Sequence, residues 1–155
     1  MAIEQTRDLA QVVRMLSAAA MPTDGVEAPG GCYLMAYVGD EVAGAVGIEA
    51  RVEVALMRSL IVIESMRRRG IGAALVSAAR TAAHTRGART LYTIAPDERV
   101  ARYFGALGFK PAASEELPRA LTGAFAADRL DEHPGEVRRW RTLSLDLSND
   151  GLIQR

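Results

Sequence analysis

Cysteine is almost missing from this chain: Cys32 stands alone among 155 residues, so no intramolecular disulfide can staple the fold. Residues 1–6 lack the basic start and apolar run of a secretory signal, and both absences point to a reducing cytoplasm. No apolar stretch approaches the roughly 20 residues that a transmembrane helix needs, which predicts a soluble protein without a membrane partner. Net charge is missing as well. Nineteen Lys and Arg balance nineteen Asp and Glu, so there is no overall field to concentrate the protein on nucleic acid or an anionic surface, and any anion must be bound locally. The two histidines, His84 and His133, have no Cys, Asp or Glu at metal-ligand spacing. Both read as surface residues, and no metal is expected. Ser59 has no Gly-x-Ser-x-Gly setting, and Cys32 at a strand start reads as a small buried hydrophobe, so a covalent acyl-enzyme is not expected.

What is present is about half apolar, enough for one compact α/β domain over residues 1–148, with a fraying tail at 149–155. After a short opening segment around Ala2 to Gln5, Leu9, Val12, Val13 and Leu16 recur at helical spacing, with Thr6 or Asp8 available as the cap. Turn-forming residues follow from Met21-Pro22-Thr23-Asp24-Gly25 to Gly30-Gly31. Three strand-like runs come next, Cys32 to Val38, Val42 to Ala50 and Val54 to Ile63. Gly39-Asp40-Glu41 makes a hairpin between the first two, and the three read as an antiparallel meander. An Ala-rich helix runs from Gly72 to Arg86 with Gly87 as its stop. Thr90 to Ile94 reads as a strand and Asp97 to Leu107 as a helix closed by Gly108. Farther on, Pro118 opens a candidate helix to about Leu130, Pro134-Gly135 is a turn, and Leu143, Leu145 and Leu147 alternate as in a terminal strand.

The richest segment runs from Leu60 to Leu75, where a strand passes through a basic loop, Arg67-Arg68-Arg69-Gly70-Ile71-Gly72-Ala73, straight into a helix. A helix start leaves backbone N–H groups unpaired and carries partial positive charge, so main chain alone can bind a phosphate there. Glycine at 70 and 72 lets the ligand approach those amides, and the arginines add charge. A lone Gly-x-Gly is weak, and a plain strand-to-helix turn with solvated arginines is the bland alternative. A dinucleotide fingerprint would want Gly or Ala where Leu75 stands, and a P-loop would need Gly-Lys-Ser or Gly-Lys-Thr, which the chain lacks.

Arg67-x-x-Gly70-x-Gly72, placed after a strand ending in Val62, resembles the Q/R-x-x-G-x-G/A motif of the GNAT acetyltransferases. Ala101-Arg102-Tyr103-Phe104-Gly105-Ala106-Leu107-Gly108-Phe109 is similar to that family's second helix, which ends in Gly-Phe before another strand. The likeness spans roughly residues 1–110. It implies an α/β (α+β) fold: a mixed, mostly antiparallel sheet splayed at the central strand and flanked by helices. It also implies acetyl-CoA as cosubstrate, with Leu60, Ile61 and Val62 along the pantetheine arm and the loop from Arg67 to Ala73 around the pyrophosphate. A homodimer is compatible with it. Met21-Pro22-Thr23-Asp24-Gly25, Val46-Gly47-Ile48-Glu49, Leu56-Met57-Arg58-Ser59-Leu60 and Leu117-Pro118 resemble a branch associated with arsenic-resistance operons, some of whose relatives acetylate amino-acid-like toxins. The stretches Asp131 to Gly135 and Arg138 to Arg141 do not match that branch's usual ending.

The implied reaction is acetyl transfer to a primary amine of a small molecule. The amine must be neutral to attack, so a base must take its proton directly or through water. Glu49, near the end of the strand beside the central one, is the candidate; a strand-end carboxylate in solvent is the alternative. Arg58 and Ser59 interrupt an apolar strand, a costly place for a guanidinium without a partner. Either Arg58 pairs with Glu49, or Arg58 and Ser59 belong to the acceptor site, where Arg58 would hold a carboxylate. Many family members place a tyrosine four residues before the Gly of the closing Gly-Phe to protonate the leaving thiolate, and here that position is Phe104. Tyr103 is one residue away, a rotation of about 100°, which predicts that its hydroxyl points elsewhere. The rival from another class is a protein of this fold that only binds acyl-CoA, as a sensor or regulatory subunit.

Overall fold

The computed structural model describes residues 1–23, 25–27, 30–113, 116 and 141–148. The expected helix at 118–130, the turn at 134–135, His133, the basic run 138–140 and the tail 149–155 lie outside them. The described residues form one seven-stranded sheet, in the order β1-β2-β3-β4-β5-β7-β6. Its strands are β1 (Ala2–Thr6), β2 (Gly31–Val38), β3 (Glu41–Arg51), β4 (Val54–Val62), β5 (Thr90–Ala95), β6 (Lys110–Pro111) and β7 (Arg141–Asp146). Three helices accompany it: α1 (Leu9–Ala18), α2 (Ile71–Thr85) and α3 (Glu98–Ala106). The expected meander is β2-β3-β4, paired antiparallel throughout. The opening segment extends it, since Ala2 to Thr6 pair in register with Tyr37 to Tyr33 as an edge strand.

Local chemistry sets most boundaries. The Asp8 carboxylate accepts from the Gln11 amide at 3.1 Å and so caps α1, while Thr6 Oγ1 accepts from the Asp8 amide at 3.1 Å. Both expected capping residues are thus used, one on the helix and one on the cap itself. Asp97 does the same for α3, accepting from the Val100 amide at 2.9 Å. Gly70 enters α2 with φ +77°, the left-handed region where a side chain costs energy and glycine does not.

Alternation along β2 assigns the two faces of the sheet. Tyr33 and Met35 pack with Val12 and Leu16 of α1 on one face. Cys32, Leu34 and Ala36 pack on the other, against Leu75, Val76 and Ala79 of α2 and Phe104 of α3. Two irregularities then reshape the central strand. The β3-β4 register passes from Gly47↔Arg58 to Ala45↔Ile61, so β4 carries one extra residue there, and Ser59 takes φ +57°. This β-bulge re-aims the side chains beyond it, so that Leu60 and Val62 join the α2 face with Met57. The parallel pairing of β4 with β5 runs only from Val54↔Thr90 to Met57↔Thr93, where the buried Thr93 hydroxyl donates to the Met57 carbonyl at 3.1 Å. From Arg58 onward β4 leaves β5, and the sheet splays at its central strand.

Candidate active site

The splay opens a cleft of about 500 Å³. Its floor is Leu60, Ile61 and Val62, and one end is the start of α2 from Gly70 to Ala73 with Arg67 and Arg68 beside it. Ala19 and Met21, just past the end of α1, and Tyr103 on α3 complete the wall. Among the described residues no backbone hydrogen bond uses the amides of 68–73: the Arg67 amide donates to Glu64, and the next to donate is Ala74, to Gly70 at 3.0 Å. These are the unpaired donors of a helix start, left facing a polar end of the cleft. Arg67 folds back so that its Nε donates to the Val62 carbonyl at 3.1 Å, joining the loop to the end of β4. Of the loop residues expected to face one ligand, Arg69 is exposed and does not line the cleft.

Glu49, Arg58 and Ser59 lie on the α1 side of β3 and β4, and Glu49 and Arg58 border a second, smaller cavity of about 10 Å³. Gly25, Val26, Gly31, Tyr33, Glu49 and Arg58 line it, and the space is on the order of one water molecule. The expected alternative for Glu49, a carboxylate in solvent, is overturned, because Glu49 is only 4% exposed. Its partner at 2.8 Å is Arg51 Nη2, a neighbour two positions along the same strand and therefore on the same face. Arg58 is buried too, with its guanidinium against Gly25: a Cβ there would stand 2.6 Å from Arg58 Nη1, and φ is +77°. Tyr33 donates to Ser59 Oγ at 3.3 Å, which ties the bulge to β2. β4 therefore passes from the small cavity at Arg58 to the large cleft at Leu60, with the bulge at Ser59 between them.

Tyr103 lines the cleft at its α2 end. Phe104 is 5% exposed and packs on Phe109 with ring centroids 5.6 Å apart, so the inward direction on α3 leads into the core and not to the cleft. The direction about 100° away, that of Tyr103, is the one that faces the start of α2. A Cβ on Gly72 would lie 2.5 Å from the Tyr103 hydroxyl. Partial burial raises the Tyr103 pKa above that of an ordinary phenol, which keeps the group a proton donor at neutral pH. Ala19, Met21 and Tyr103 are the lining residues that sequence reasoning missed. Met21 had a signal in the turn-rich segment after α1, and Tyr103 in its place beside Phe104 before the closing Gly108-Phe109.

A family model described as "Acetyltransferase (GNAT) family" matches residues 6–109. The chain belongs to the GNAT acetyltransferases. Among curated proteins no sequence matches it. Its fold is similar to that of Rv2747 from Mycobacterium tuberculosis, solved in complex with CoA and NLQ, with a TM-score of 0.73 at 14% identity over 94% of this chain and 99% of that one. It also resembles an aminoglycoside 6'-N-acetyltransferase complexed with coenzyme A (TM-score 0.69, 16% identity, 95% and 97% covered). N-acetylglutamate synthase from Neisseria gonorrhoeae, complexed with coenzyme A and N-acetyl-glutamate, matches with a TM-score of 0.70 at 15% identity over 94% of this chain. This chain spans 35% of that larger one. Likeness at these identities is likeness of fold.

Among the described residues no group of three or more His, Cys, Asp or Glu could hold a metal ion. No helix there is long and apolar enough to cross a membrane. Cys32 is buried, and burial raises its thiol pKa, which keeps it a poor nucleophile near neutral pH.

Proposed function

We propose that this GNAT acetyltransferase moves the acetyl group of acetyl-CoA to the primary amine of a small, amino-acid-like molecule, by direct attack. The observation that carries the reading is the junction of two binding surfaces in one cleft: the unpaired amides at the start of α2, and the edge of β4 left open beyond Met57. The first suits a pyrophosphate, with the amides from 68 to 73 donating to its oxygens and Arg67 and Arg68 adding charge. The second suits the pantetheine arm, whose amides can pair along Leu60 to Val62 as a further strand would. The thioester then lies toward Ala19 and Met21, next to the bulge that leads to Arg58.

In this reading the acceptor arrives from the α1 side of β4. Arg58 holds its carboxylate through a charge-assisted pair, with Ser59 beside it. Glu49 takes the amine proton through a bridging water, since its carboxylate is buried beside the cavity and not in the cleft. The amine nitrogen forms the new C–N bond, the C–S bond breaks, and the coenzyme departs as thiolate. That departure costs little near neutral pH for a thiol whose pKa is about 8.5. Holding the coenzyme in the cleft and the acceptor across the bulge at Ser59 makes the attack effectively intramolecular, and a free amide on the open edge of β4 can stabilise the carbonyl oxygen as charge develops. The likeness to the arsenic-resistance branch and its amino-acid-like substrates supports the acceptor class. The neighbours with glutamate-type and aminoglycoside names show that fold alone leaves acceptors of both kinds open.

Calorimetry with CoA tests the cleft, and thiol release from acetyl-CoA against amino acids, toxin-like amino acids, polyamines and aminoglycosides tests the acceptor. The expected result is saturable CoA binding and turnover with an α-amino acid. Turnover confined to polycationic amines would overturn the acceptor assignment while leaving the enzyme class standing. Binding of CoA without turnover of any amine would favour a sensor.

A further inference from the structure

We propose that Tyr103 is a coenzyme-positioning residue: its hydroxyl closes the phosphate end of the cleft and donates a hydrogen bond to the coenzyme segment lying across the first turn of α2. This rests on the reading of the cleft as the acetyl-CoA site. Tyr103 is 42% exposed although it is aromatic, so the core does not account for its placement. Its ring leans on Phe104 with centroids 5.6 Å apart, and Phe104 is itself fixed in the core, so the phenol is braced across Gly72. The hydroxyl stands over the Gly72 backbone, beside the unpaired first-turn amides. An anionic oxygen reaching those amides therefore comes within range of the phenol, and a phenol is a donor suited to it.

The same geometry separates this role from proton donation to sulfur. The hydroxyl is at the α2 end of the cleft, whereas the thioester must lie where the acceptor can reach it, past Leu60 toward Ala19 and Met21. The absence of a side chain at Gly72 is the condition for the arrangement. A Cβ there would be 2.5 Å from the hydroxyl but an ordinary 3.6 Å from the ring carbon that bears it. Alanine at 72 must displace the hydroxyl, and phenylalanine at 103 leaves room for that alanine.

The test is a double-mutant cycle of Gly72→Ala and Tyr103→Phe, read by CoA calorimetry and by kcat and KM for acetyl-CoA. Melting without ligand checks that each variant is folded; alanine is favoured over glycine within a helix. Tyr103→Phe should raise the CoA Kd and the acetyl-CoA KM about tenfold, the scale of one hydrogen bond to a charged group, with kcat within about threefold. The double variant should bind CoA no worse than Gly72→Ala alone, because the two changes remove the same contact. An unchanged Kd for Tyr103→Phe overturns the proposal, as does a hundredfold loss of kcat at unchanged Kd, which would place the phenol at the sulfur. Fully additive losses overturn the shared contact. Absence of CoA binding by the wild type would instead sink the cleft assignment, and this proposal with it. Should Gly72→Ala not fold, Tyr103→Phe decides by itself.

Discussion

Replacing Glu49 by Gln keeps the shape of the side chain and one acceptor oxygen while deleting the charge, so its structural and chemical effects separate. The structural cost follows from the ion pair. The Glu49 side chain is 6% exposed and that of Arg51 34%, at 2.8 Å, and Arg51 also donates to the Ala50 carbonyl at 3.0 Å. Arg51 can therefore turn to water when its partner is neutral. What is lost is the difference between a charge-assisted and a neutral hydrogen bond, about 1 kcal/mol. For a chain of this size that lowers Tm by roughly 3 °C. The chemical effect is larger, since losing a general base lowers turnover by about 10²-fold, or ~2.7 kcal/mol in the barrier. Thiol-release kinetics across pH, with melting curves and CoA affinity measured on the same protein, read the two separately. If Tm falls by roughly 3 °C while kcat stays within about threefold, Glu49 does no more than hold Arg51, and the base lies elsewhere.

Gly72→Glu should abolish CoA binding in calorimetry, because a carboxylate in the first turn repels phosphate; its side chain also displaces the Tyr103 hydroxyl while complementing the helix dipole, and melting without ligand checks that the variant is folded. Wild-type protein at a hundredfold excess of CoA over Kd should gain about 2.7 kcal/mol, and no thermal shift would count against the cleft. Arg58→Lys, which replaces a planar fork by a point charge, should raise KM for an amino acid acceptor about tenfold without changing CoA affinity; an unchanged acceptor KM would remove Arg58 from the site. Gly44→Ala should cost about 1–3 kcal/mol in urea melts, since its Cβ would stand 2.5 Å from the Ile61 carbonyl and 3.0 Å from Leu75 Cδ1. A neutral effect would mean that β3 and β4 do not approach so closely beside the cleft.

Much of this protein is determined by short-range chemistry, and that part was legible in the sequence. Helical spacing with Asp8 in front, a glycine hairpin at Gly39 and the loop from Arg67 to Ala73 leading into a helix each depend on residues a few positions apart, so the meander, the helices and the amide-rich helix start could be read directly. The edge role of Ala2 to Thr6 could not, because a short strand becomes part of a sheet only when a partner offers its hydrogen bonds. The splay beyond Met57, the bulge at Ser59 and the burial of Glu49 were settled by tertiary structure. Each depends on where β5, β3 or the segment at Gly25 and Val26 comes to lie. Tyr103 shows the division most sharply: its angular offset from Phe104 follows from helix geometry, but which of the two directions meets the cleft and which meets the core is decided only when α3 packs beside the start of α2.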